Sequence, residues 1–107
     1  MIGVPAAAET VVLHIEDNPS NRKVVQHILR STSYRLLEAE DGETGLELAR
    51  SRKPDLVLLD MQLPGMSGYE VAAALKAEAD TRQIPVIAVT ASALAGDDTR
   101  VFDAGCD

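Results

Sequence analysis

The chain has 107 residues, 46% of them hydrophobic and 25% charged, with 10 basic against 17 acidic side chains and a net charge of −7. That is one domain with enough chain to bury a core and little to spare. The acidic balance argues against a phosphate-backbone partner, and with only Tyr34, Tyr69 and Phe102 aromatic there is no base-stacking platform.

Cys106 is the only cysteine, so no intrachain disulfide forms. No apolar stretch approaches membrane-spanning length. Residues 1–9 are small and weakly patterned, without Lys or Arg and with Pro5. They read as a flexible leader, lacking the basic region of a signal peptide, and a cytoplasmic location follows as the expectation.

Residues 10–107 form the expected domain. The first strand runs from Val11 to Glu16. Asn18 suits an N-cap and Pro19 the first helical position, opening a helix with Val24, Val25, Ile28 and Leu29 on one face. Tyr34 to Ala39 is a second strand, interrupted by Arg35 and Glu38, and that charge suits a sheet edge. Asp41-Gly42 leads into a helix carrying Leu46, Leu48 and Ala49 that stops before Pro54.

The third strand is Asp55 to Asp60. A loop follows with Pro64 and the turn glycines Gly65 and Gly68, then a helix with Tyr69, Ala72 and Leu75 on one side. Ile84 to Thr90 is the fourth strand, and a last helix spans Leu94 to Ala104 with Asp97 and Asp98 in its first turn. Alternating strands and helices imply right-handed crossovers and a parallel sheet. An order of 2-1-3-4 sets the first and third strands side by side. The fourth strand reads as interior, yet the chain ends at Asp107 with no fifth strand to flank it, so the domain is expected to be cut short.

The near-continuous apolar runs Val11–Ile15 and Leu56–Leu59 read as buried parallel strands, and each ends on carboxylates, Glu16-Asp17 and Asp60. Open α/β sheets bind ligands beyond these strand ends. Three acids meeting there repel unless a cation joins them. Mg²⁺ takes oxygen ligands in octahedral geometry, and a main-chain carbonyl just after Asp60 can add to the three side chains. An aspartate beside a cation can attack a phosphoryl group and carry it covalently. Thr90, ending the neighbouring strand, can donate its hydroxyl to that group.

Taken singly, each of these features has an ordinary structural explanation. A Glu-Asp pair after a strand is most often a solvated turn, and a strand-ending Thr a good β-former. His14 falls within a strand, where packing is the ordinary role, and His27 has no partner at metal-ligand spacing. There is no Walker A loop and no G-x-G-x-x-G.

Joint placement lifts the site above its parts. Val12-Leu13-His14-Ile15-Glu16-Asp17-Asn18, then Leu56-Val57-Leu58-Leu59-Asp60 through Pro64 to Gly68, then Pro85 to Thr90-Ala91, resembles the receiver domain of two-component response regulators over residues 11–107. The resemblance implies a flavodoxin-like, doubly wound α/β domain whose full sheet order is 2-1-3-4-5, here without the fifth strand and last helix. It implies Asp60 as phosphoacceptor, Glu16 and Asp17 as the acidic Mg²⁺ pair, the Gln62 carbonyl as a further ligand and Thr90 as the switch hydroxyl. The family's fifth strand carries a lysine before a proline, and neither Lys53 nor Lys76 is placed to substitute.

The leading expectation is a Mg²⁺-dependent phosphoacceptor fed by a histidine kinase or histidine phosphotransfer protein. It is no enzyme beyond self-phosphorylation from a donor and autodephosphorylation. A phosphorylation-independent interaction module is the alternative. An aspartyl-phosphate hydrolase fits poorly, because those resemble D-x-D-x-T whereas Met61-Gln62 follows Asp60. The open fourth-strand edge leads to the expectation of a homodimer, through that edge or by exchange of an element.

Overall fold

The computed structural model describes residues 10–63 and 65–89. Over these residues the chain runs β1 (Val11–Ile15), α1 (Pro19–Leu29), β2 (Arg35–Ala39), α2 (Gly42–Arg52), β3 (Leu56–Leu59), α3 (Gly68–Ala77) and β4 (Val86–Ala88). The expected leader, the last helix over 94–104, Pro64, Thr90 and Cys106 lie outside the described residues.

Local chemistry explains where each helix begins. The Asn18 side chain accepts hydrogen bonds from the Ser20 and Asn21 amides, with Pro19 in the first turn of α1. Asp41 accepts from Thr44 N at 2.7 Å and opens α2 directly, so Asp41-Gly42 is a loop-to-helix junction. Ser67 and Glu70 form a reciprocal capping box at the start of α3. Lys53 ends α2 in the left-handed region at φ 45°, just before Pro54.

The sheet is parallel throughout, in the order β2-β1-β3-β4. The charged second strand is at an edge, as expected. β4 has β3 on one side and, among the described residues, no strand on the other. Register assigns the two faces, because successive side chains alternate across a strand. Leu13, Leu37, Val57 and Val86 form one row, and Ile15, Ala39, Leu59 and Ala88 the next, all on the face that packs with Leu46 and Ala49 of α2 and Val71, Ala72 and Leu75 of α3. The opposite face carries His14, Glu38, Leu58 and Ile87 in one row, buried at His14 and open at Ile87.

Three expectations need correction. The apolar face assigned to the first helix is not core: α1 has no buried residue, and Val24 and Ile28 are 56% and 60% exposed. Its inward line runs through Arg22, Val25 and Leu29, spaced i, i+3, i+7, which leaves Val24 and Ile28 on the flank. The strands are shorter than expected: Glu16 lies outside β1, Tyr34 outside β2, Asp55 and Asp60 outside β3, and Ile84, Pro85 and Val89 outside β4. Gly68 is the first residue of α3, not a turn glycine: a Cβ there would collide with the Asp60 carbonyl and the Met61 backbone. Gly65, at φ 73°, is a turn glycine as expected.

Candidate metal centre

Ile15 of β1 is in register with Leu59 of β3, so the residues that follow leave the sheet at the same end. The main chain holds that register one step further, with Asp60 N donating to Ile15 O at 3.0 Å and Glu16 N to Ala39 O at 2.9 Å. Oxygen atoms of Glu16, Asp17 and Asp60 consequently lie within 4.8 Å of one another. Glu16 is 2% exposed, Asp60 half-buried and Asp17 exposed. The expected convergence of three acids is therefore present in the fold.

Each acid has a distinct footing. Glu16 Oε2 accepts from Asn18 N at 3.3 Å, and the Asn21 side chain also hydrogen-bonds its carboxylate. Asp60 Oδ1 accepts from Gln62 N at 3.0 Å, which draws the Gln62 backbone in beside it. Burial, then a hydrogen bond with the Asp60 carboxyl, pushes the Glu16 carboxyl up to about 7, against the opposing pull of its bonds to Asn18 and Asn21. A proton between Glu16 and Asp60 does what a cation would do better, since it offsets only one of the converging charges. The donor set is oxygen only, as a hard cation such as Mg²⁺ prefers, so the residues present fit one.

Of the other residues singled out in the sequence, Thr90 is outside the described residues, and Lys53 and Lys76 are engaged elsewhere. Val89 N donates to Leu59 O at 2.8 Å, keeping the chain in register with β3 up to the residue before Thr90, which itself lies outside the described residues. His14 is fully buried with neither ring nitrogen hydrogen-bonded, and burial lowers its pKa, so it packs as a neutral ring. Lys76 Nζ donates to the carbonyls of Arg82 and Ile84, at 3.2 and 2.9 Å. Lys53 closes α2 before β3 begins.

Two features at the site were not anticipated from sequence. The Ser67-x-x-Glu70 pattern of the capping box was legible, since it precedes an apolar helix. The approach of Gly68 to the Asp60–Met61 backbone was not, because only the packing of α3 against β3 creates it. An open groove lined by Glu43, Leu46, Arg50, Gly65, Met66 and Glu70 lies apart from the acids.

Known proteins are similar to this chain in sequence and fold. A family model described as the response regulator receiver domain matches residues 12–107. The polar-differentiation response regulator DivK of Brucella anthropi is 43% identical over 96 residues, covering 90% of this chain and 78% of DivK. The receiver domain of sensor histidine kinase PA1611 from Pseudomonas aeruginosa superposes with a TM-score of 0.84 at 36% identity, over 94% of this chain and 82% of that one. That structure is described with a magnesium ion coordinated in its active-site cleft. The phosphorylated cyanobacterial phytochrome response regulator RcpA gives a TM-score of 0.81 at 26% identity, over 94% of this chain and 78% of that one.

Proposed function

The chain belongs to the response regulator receiver domain family of two-component signalling, and on that premise we propose that Asp60 accepts a phosphoryl group from a histidine kinase or histidine phosphotransfer protein. One observation carries the reading: Glu16, Asp17 and Asp60 meet within 4.8 Å where adjacent parallel strands end. In this proposal the three carboxylates and the Gln62 main-chain carbonyl hold Mg²⁺, and the Thr90 hydroxyl donates to the phosphoryl group. The magnesium ion coordinated by the PA1611 receiver domain supports the choice of metal.

An Asp60 carboxylate oxygen attacks phosphorus in line with the donor's P–N bond. That bond breaks, its electron pair leaves with the donor imidazole protonated on the other nitrogen, and an acyl phosphate remains on Asp60. Gln62 N–H, on Asp60 Oδ1, leaves the second carboxylate oxygen to react. A bound cation offsets charge on the transferring oxygens. Beyond taking the group from a small donor and losing it by hydrolysis, the chain does no catalysis of its own in this reading.

Incubation with a small phosphodonor and Mg²⁺, followed by intact mass, tests it. The native chain gains one phosphoryl group and Asp60→Asn gains none. A mass gain in Asp60→Asn refutes the assignment. The second reading, an interaction module indifferent to phosphorylation, is favoured by the positions of Lys53 and Lys76, neither of which serves Asp60. It predicts no gain in either protein. We further propose that the chain forms a homodimer that covers the exposed Ile87 and Val89.

A further inference from the structure

One side chain grips the backbone from which two of the acids project. Arg22, in α1, turns back along the helix, and its Nη1 donates to Glu16 O at 2.9 Å and to Asp17 O at 3.1 Å. A single nitrogen bridging consecutive carbonyls fixes the orientation of the peptide unit between them. The directions in which the Glu16 and Asp17 side chains leave the main chain are fixed with it. Asn18 N–H and the Asn21 side chain then orient the Glu16 carboxylate, so the turn is held on both its main-chain and side-chain sides from the first turns of α1.

We propose that Arg22 is a positioning residue for the cation site. It presents Glu16 and Asp17 to the ion in one arrangement, with its guanidinium, among the described residues, engaging their main-chain carbonyls and not their carboxylates. The inference rests on the reading of Glu16, Asp17 and Asp60 as metal ligands. A merely structural Arg22 would tie α1 to the end of β1, and its loss would lower stability without regard to metal.

Calorimetric titration of the full chain with MgCl₂, beside melting in EDTA, separates the two roles. Removing a residue that orients metal ligands costs on the order of 10-fold in metal affinity. Arg22→Ala is expected to bind Mg²⁺ about that much more weakly. Its EDTA melting temperature should move by a few degrees at most. Arg22→Lys is expected to recover much of the affinity, because one ammonium can serve two carbonyls, as Lys76 does at Arg82 and Ile84. Should Arg22→Ala prove too unstable to titrate, Arg22→Gln and Arg22→Lys carry the comparison. Native-like Mg²⁺ affinity in Arg22→Ala, or in Arg22→Gln where the alanine variant cannot be titrated, overturns the inference while leaving the site intact. Absence of Mg²⁺ binding by the native chain overturns the site, and this inference with it.

Discussion

At the scale of single residues the site is built on a cost that metal removes. Glu16 is buried beside Asp60, and its carboxyl is raised from 4.5 to about 7. A raised carboxyl stabilises the fold while protonated: that contribution is complete below about pH 4.5 and is lost as pH rises through about 7. In EDTA, Glu16→Gln, which keeps the shape of the protonated form, should match the native chain at the low end of that window. It should melt progressively higher than the native chain towards the high end. A constant offset across the window would refute the coupling. Mg²⁺ should reverse the ranking by raising the native melting temperature, since a ligand at about 100 times its Kd adds about 2.7 kcal/mol. Asp17→Asn should blunt that rise, and equal responses in the two proteins would remove Asp17 from the site.

At the scale of elements, sequence punctuation was the legible part and burial the illegible part. Asn18-Pro19, Asp41-Gly42 and Lys53-Pro54 announce helix ends through local bonds and sterics that act on one segment at a time, and all three hold. The carboxylates at Glu16 and Asp60 were legible for a similar reason, because a strand end is a local feature and sheet order alone brings two of them together. Which side of α1 faces inward depends on its angle to the sheet, which no spacing encodes, and Val24 and Ile28 were misassigned for that reason. The start of α3 shows the same division. Ser67→Ala removes a cap and should cost about 1 kcal/mol, or about 4–8 °C. Gly68→Ala drives a methyl into the Asp60 carbonyl and Met61 backbone, which cannot swing aside as a side chain would. It should cost roughly 1–3 kcal/mol. It should also slow phosphorylation of Asp60, as Ser67→Ala should not. Equal rates in both variants would mean that α3 does not shape the site.

At the scale of the whole molecule the two faces of the sheet are unequal, and the imbalance grows towards β4. One face is sealed by α2 and α3. The other is closed over His14, yet Ile87 and Val89 at β4 are 42% and 38% exposed, and Val24 and Ile28 of α1 are more so. Apolar side chains left open on a sheet face gain burial when a second chain covers them. A two-fold axis that packs the exposed Ile87 and Val89 of one chain against the same face of its copy would cover them on both, and closed two-fold dimers are the commonest such solution. Light scattering at micromolar concentration should therefore show a dimer whose melting temperature rises with protein concentration. Ile87→Lys, which puts a charge into that patch, should shift it to monomer. A native chain that scatters as a monomer, with an unfolding transition independent of concentration, would overturn the pairing.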